Sequence, residues 1–173
     1  MSAIPDSVSP DSVAQIMGPH VLIVEARFYE DIADELVRGA ILALEEAGAT
    51  YDRIAVPGAF EIPAAINFAI QASGHAGHAN DEAAVPRYDG YVALGCVIRG
   101  ETTHYDYVCV ESARGLQDLA LRHNAAIGYG ILTVENDDQA WARAKVDQKN
   151  KGGAVASACL DMIRLKRHFG LTT

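Results

Sequence analysis

The chain has little cysteine: three residues among 173, at positions 96, 109 and 159. An odd, widely spaced set embedded in apolar sequence makes neither a disulfide framework nor a CxxC metal site. The three are read as small buried residues in a reducing compartment. Positive charge is also scarce. Fourteen Lys and Arg against 23 Asp and Glu leave a net charge of -9, which excludes general nucleic-acid binding, since phosphate backbones are held by clustered cations. An anionic small molecule therefore needs a local cationic site. No apolar run approaches the roughly 18 residues of a membrane helix, and the N-terminus lacks the basic segment and apolar block of a signal peptide, so the cytoplasm is the expected location. Neither G-x-G-x-x-G after the first strand nor a Walker A loop is present, so a dinucleotide or nucleoside-triphosphate site is not supported. There is no internal repeat.

What is present is an alternation of apolar runs and amphipathic stretches. Half the residues are hydrophobic, and the length suits one domain able to bury a core unaided. Residues 1–19, broken by Pro5, Pro10 and Pro19, read as an N-terminal arm. His20–Ala26 reads as a first strand, followed by a helix from about Glu30 to Ala47 with Ile32, Leu36, Val37, Ala40, Ile41 and Leu44 on one face, ended by Gly48. Tyr51–Val56 is a second strand, and a helix starting near Glu61 or Ile62 tolerates Pro63 in its first turn. Residues 74–87 have no period and read as an exposed loop; His75 and His78 within it lack a supporting constellation of metal ligands. Tyr91–Ile98 is an uninterrupted, β-branched apolar run, as expected of a strand buried on both faces. A helix follows from Tyr105 to about His123. Ala126–Thr133 is a fourth strand. Asn136 and Gln139 have the spacing of a capping box at the next helix start. A last helix, Ala154–His168, is expected to bury Val155, Ala158, Cys159, Met162, Ile163 and Leu165. This order gives an α/β fold with a four-stranded parallel sheet and right-handed crossovers.

Residues able to do chemistry gather at the strand ends, where open parallel sheets bind ligands. Phe28 follows the first strand, as a stacking platform for a planar ring or as part of the core. Pro57-Gly-Ala-Phe60-Glu61 forms the second junction, where Gly58 permits close backbone approach or merely a turn. After Ile98 the chain stops at Arg99-Gly100 and continues Glu101-Thr102-Thr103-His104. The first turn of the following helix points N–H groups at this site, the threonines add hydroxyl donors or act as caps, and His104 is a candidate proton carrier. Tyr129 to Lys151 forms a fourth group. The first three are placed to share one cleft; spacing leaves open whether the fourth reaches it within one subunit or from the next.

Five fragments carry a resemblance: Ala26-Arg-Phe28, Val56-Pro-Gly-Ala-Phe-Glu-Ile-Pro63, Gly95-Cys-Val-Ile-Arg-Gly-Glu-Thr-Thr-His-Tyr-Asp-Tyr-Val108, Gly130-Ile-Leu-Thr-Val-Glu-Asn136 and Asn150-Lys-Gly152. In this order, across residues 20–170, the chain resembles the 6,7-dimethyl-8-ribityllumazine synthase family. The resemblance implies a three-layer α/β/α sandwich of flavodoxin-like type, with residues 20–173 as the domain. It implies condensation of 5-amino-6-(ribitylamino)uracil with 3,4-dihydroxy-2-butanone 4-phosphate, without metal or organic cofactor. Carried over, Phe28 stacks on the pyrimidine, and Ala59, Phe60 and Glu61 contribute substrate contacts, Ala59 and Glu61 to the ribityl chain. Cys96, Val97 and Ile98 meet the heterocycle. Glu101, Thr102 and Thr103 receive the phosphate, which pairs with Arg143; His104 transfers protons and Lys151 lies near the uracil. Tyr129, Arg143 and Lys151 come from a neighbouring subunit. Functional coupling to riboflavin synthase is a further expected partnership.

Four departures from the family pattern stand out. Tyr29 stands where many relatives have Asn, Tyr129 where Phe is frequent, and the 74–87 loop is longer than usual. Lys145-Val-Asp-Gln-Lys149 also lacks the glycine common in relatives that form sixty-subunit shells, which favours a pentamer. The alternative function is a non-catalytic flavin or lumazine binder; the joint presence of His104, Arg143 and Lys151 argues against it. A flavodoxin-like electron carrier is disfavoured because Arg27-Phe28-Tyr29 occupies the place of its phosphate loop.

Overall fold

The computed structural model describes residues 18–74 and 88–171. Most of the arm, and the 75–87 segment with His75 and His78, lie outside the described residues. The chain runs β1 (His20–Ala26), α1 (Glu30–Glu46), β2 (Thr50–Val56), a short 3-10 turn (Ala59–Glu61), α2 (Ile62–Gly74), β3 (Gly90–Ile98), α3 (His104–His123), β4 (Ala126–Val134), α4 (Asp137–Ala144) and α5 (Lys151–His168). All pairings are parallel, in the order β2-β1-β3-β4.

The two central strands are apolar on both faces, so each face must be covered by helices. Val21 and Ile23 join Val92 and Leu94 in one core with Leu36, Ala40 and Leu44 of α1, Ala140 of α4 and Val155, Cys159 and Ile163 of α5. Leu22 and Val24 join Tyr91 and Ala93 in a second core with Ile62 and Ile66 of α2 and Val108, Leu116 and Leu119 of α3. The result is the expected three-layer sandwich. Its crossovers take α1 over one face to β2 and α2 over the other to β3, so the sheet order reverses between β1 and β3. Ligands of open α/β sheets bind at the strand ends beside such a reversal.

Helix ends follow the sequence cues. Gly48 adopts φ +69 after α1, where an L side chain is strained. Asn136 accepts a hydrogen bond from the Gln139 N–H at 3.0 Å, while Gln139 Oε1 accepts from the Glu135 N–H at 3.1 Å. This is a capping box shifted by one residue on its return bond.

The last helix departs from expectation. It begins at Lys151 rather than Ala154, so Gly152 and Gly153 lie in its first turn. Asn150, at φ 39, caps it by accepting from the Gly153 N–H at 3.1 Å. The pair of glycines reads as a breaker in sequence but serves packing: a Cβ at Gly152 would sit 1.9 Å from the Leu36 carbonyl oxygen of α1. Its buried face also differs. Ala156 and Leu160 are buried in place of Ala158, Met162 and Leu165, which are exposed, because the buried stripe continues the i, i+4 row that starts at Gly152 against α1. Cys96 and Cys159 are buried as expected, whereas Cys109 is half-buried on α3.

Gly152→Ala should lower stability by about 1–3 kcal/mol or more, because backbone cannot yield to the added methyl. Gly100→Ala, whose Cβ would meet nothing within 4 Å, should stay near wild type. Thermal melts of the two variants check this, at roughly 2–4 °C per kcal/mol for a chain of this size.

Candidate active site

Three of the four strand-end groups open into one cleft of about 630 Å³ at the carboxyl ends of β1, β2 and β3. Phe28 projects from the end of β1, 72% exposed, so the ring is not core. It is held edge-on by Tyr29, with centroids 4.9 Å apart and planes at 72°. Tyr29 packs partly into the core on the α1 face, so one ring of the pair is anchored and the other is presented.

The second wall is the Pro57–Glu61 turn. Ala59 is buried and Phe60 exposed. Glu61 folds its carboxylate over Gly58, where a Cβ would come within 3.1 Å of Oε2. The glycine is thus occupied by a charged partner rather than serving only to turn the chain. Cys96, Val97 and Ile98 form the floor. Burial, then the nearby Asp137 and Cys109, push the Cys96 thiol up to about 12, so at neutral pH it is an uncharged wall and not a nucleophile.

The third wall is the turn after β3. Gly100, Thr102 and His104 line the cleft. His104 is the exposed first residue of α3, and its backbone N–H donates to Thr102 Oγ1 at 3.4 Å. Thr103 occupies the N-cap position without a side-chain capping bond, so the capping reading holds for Thr102 only. Glu101 and Thr103 are exposed in the same turn but do not line the cleft. The arrangement joins an aromatic plate, an apolar floor, an imidazole and a helix N-terminus, which together accept a planar ring and an anion.

Tyr129, Arg143 and Lys151 do not line this cleft within one chain. Tyr129 sits mid-strand on the edge strand β4, 44% exposed, on the face covered by α3. The Arg143 guanidinium donates from Nη1 to the Gln139 carbonyl at 2.9 Å, and Lys151 is exposed at the start of α5. No lysine or arginine lines the cleft.

Tyr105, Tyr107 and Val108 also line it and are absent from the site read in the sequence. Their signal was available: Tyr107 and Val108 lie three and four residues beyond His104, on the same helical face. In sequence Tyr29 stands out only as a departure from relatives, yet its place beside an exposed ring makes it a wall residue.

In the native state Cys96 and Cys159 stay protonated to about 12, against an ordinary value near 9. Between these values the unfolded chain has lost protons that the fold retains, so stability is full below about pH 9 and falls as pH rises toward 12. Denaturant midpoints at pH 8 and 10.5 should show that fall. Iodoacetamide at pH 8 should leave both thiols unlabelled until denaturant is added; rapid native labelling would contradict their burial.

With this geometry in place, comparison with known proteins is specific. The sequence profile of the family described as 6,7-dimethyl-8-ribityllumazine synthase matches residues 18–167. A 6,7-dimethyl-8-ribityllumazine synthase of Bartonella tribocorum is 59% identical over 88% of this chain and 93% of its own length. That of Agrobacterium fabrum is 59% identical over 88% and 97%. A 6,7-dimethyl-8-ribityllumazine synthase 1 of Rhizobium meliloti is 55% identical over 91% and 98%. The match spans every element from β1 to α5 and so includes all three walls of the cleft: this chain belongs to the 6,7-dimethyl-8-ribityllumazine synthase family.

Proposed function

We propose that the cleft condenses 5-amino-6-(ribitylamino)uracil with 3,4-dihydroxy-2-butanone 4-phosphate to 6,7-dimethyl-8-ribityllumazine, with release of phosphate and water. The observation that carries this reading is the pairing of an exposed aromatic plate with a cation-free helix N-terminus across one apolar-floored cleft. Phe28 stacks on the pyrimidine, Cys96, Val97 and Ile98 flank the heterocycle, and Ala59, Phe60 and Glu61 contact the ribityl side. Glu101, Thr102 and Thr103 present backbone N–H and hydroxyl groups to the phosphate. The aryl amine adds to the ketone and the carbinolamine loses water; loss of the adjacent C3 proton then expels phosphate from C4, the resulting enol becomes a ketone, and the ribitylamino nitrogen closes the ring on that new carbonyl with loss of a second water. Each step moves a proton. His104, at the rim between plate and turn, is the group that carries it, a role typically contributing about 10²–10⁴-fold. Much of the remaining acceleration comes from holding two reactants in register.

A dianion at a site without its own lysine or arginine needs a cation from elsewhere. We assign that cation to Arg143 of an adjacent subunit, with Lys151 and Tyr129 of the same subunit completing the uracil side. The protein is therefore a homo-oligomer. The single chain supports this by its surface: Ile54 on the edge strand β2, Phe68 on α2 and Tyr107, Val110 and Leu121 on α3 are large, apolar and exposed. A pentamer fits the linker between α4 and α5. There Val146 N–H donates to Glu35 Oε1 at 2.8 Å and Asn150 N–H to the Lys145 carbonyl at 3.0 Å, making a bonded turn without glycine. Residues 20–173 act as one domain behind an N-terminal arm, in the cytoplasm, where three free thiols are at home. Functional coupling to riboflavin synthase is part of the same proposal.

Mixing the purified protein with both substrates in the presence of a chelator should generate the fluorescence of the lumazine product; its absence would sink the reading. His104→Ala should slow turnover about 10²-fold or more with little change in substrate binding. Arg143→Ala should mainly raise the KM for the phosphorylated ketone. Co-assembling these two variants should restore part of the activity, because some clefts then pair an intact His104 with an intact Arg143. No recovery would mean that each site is built within one chain. Light scattering should give about five times the subunit mass of 18.5 kDa.

A further inference from the structure

Arg99 adjoins the anion-binding turn, yet it does not line the cleft and is held in a cluster of its own. It follows β3 directly and precedes Gly100, where the turn begins. Its Nε donates to Glu135 Oε2 at 2.9 Å and its Nη1 to Asp106 Oδ1 at 3.2 Å. The guanidinium carbon lies 4.0 Å from the centroid of the Tyr105 ring, within cation–π reach. The Arg99 backbone N–H donates to the Val134 carbonyl at 3.0 Å. One side chain thus grips the two residues that follow His104 and the residue that follows β4.

The turn it spans has few other restraints. Among the described contacts, residues 100–103 are held by the His104 N–H to Thr102 Oγ1 bond at 3.4 Å and by the Asp106 N–H to Thr103 carbonyl bond at 3.0 Å. Each exposed ion pair alone is worth little. A planar guanidinium with a carboxylate on each of two edges and a ring against its face has a single orientation, which an ammonium cannot reproduce.

We propose that Arg99 is a positioning residue: clamped between Glu135 and Asp106 over Tyr105, it fixes the 100–103 turn and the imidazole of His104 in the geometry that receives the phosphorylated ketone. It does not pair with the phosphate, because two carboxylates already hold its guanidinium. The inference rests on the reading of that turn as the phosphate site.

Competitive inhibition by inorganic phosphate, measured with the KM of each substrate, tests it. Glu135→Gln is the decisive variant. If Arg99 positions the turn, loosening the clamp should raise the phosphate inhibition constant and the KM of the phosphorylated ketone about threefold to tenfold, leaving the KM of the pyrimidine within about twofold. If Arg99 binds phosphate directly, removing its competing carboxylate should tighten both, and the proposal falls. Arg99→Ala should behave like Glu135→Gln, and Arg99→Lys should not rescue it. Melting temperatures of the full assembly should stay within a few degrees of wild type. Equal changes in both KM values would mean a merely structural role and would overturn the proposal. Thr102→Val and Arg143→Ala serve as the reference. If they leave phosphate inhibition untouched, the phosphate site itself is misplaced. If they weaken it while Glu135→Gln and Arg99→Ala do not, only the positioning role fails.

Discussion

Burial of β1 and β3 on both faces is the constraint from which the rest of the molecule follows. From Val21 to Ala26, and from Gly90 to Cys96, no residue is appreciably exposed. Strands of this kind have no solvent face, so helices must cover both sides. Parallel pairing then sends every connection from a carboxyl end back across the sheet. All four strand-to-helix junctions consequently share one rim. The reversal between β1 and β3 leaves a gap on that rim, and the cleft occupies it. Phe28 and the 100–104 turn face each other because of this topology, although Phe28 and Gly100 lie 72 positions apart in the chain.

The legible part of the fold is the part set by local pattern. Continuous apolar runs marked the central strands, periodic stripes marked α1, and Asn136 with Gln139 marked the start of α4. Gly152 and Gly153 misled for a physical reason. Glycine is poor inside helices, yet here it is required by a helix crossing at Leu36 that no local window contains. The buried stripe of α5 was misplaced by the same cause. In the site, Phe28, the 58–61 turn and His104 were legible because strand ends and glycine turns identify the rim, whereas Cys96 to Ile98 were pointed to as a group by the family resemblance. Arg99 was not. In sequence it is only the residue that ends a strand, and its role depends on Asp106, Tyr105 and Glu135 arriving from two other elements.

Family membership and cleft chemistry support each other without being the same argument. A passive binder of a flavin needs the plate and the apolar floor. It has no use for an imidazole beside a helix N-terminus on the same cleft. The floor itself narrows the chemistry: burial holds the Cys96 thiol neutral, so that side chain serves as a wall and not as a nucleophile.

Glu25 lies on β1 with only 4% of its surface exposed. Its carboxylate is met by Arg53 of β2, from Nε at 3.1 Å and Nη2 at 2.7 Å, and by Arg27 Nη1 at 3.2 Å. Arg53 pairs in register with Ile23, two residues from Glu25 on the same face. Sliding β2 by a single position would turn Arg53 to the opposite side of the sheet and leave the buried Glu25 carboxylate with Arg27 alone. The outermost strand, which has little apolar burial to hold it, is thereby given one permitted alignment by electrostatics, and the Pro57 turn at its end inherits that alignment.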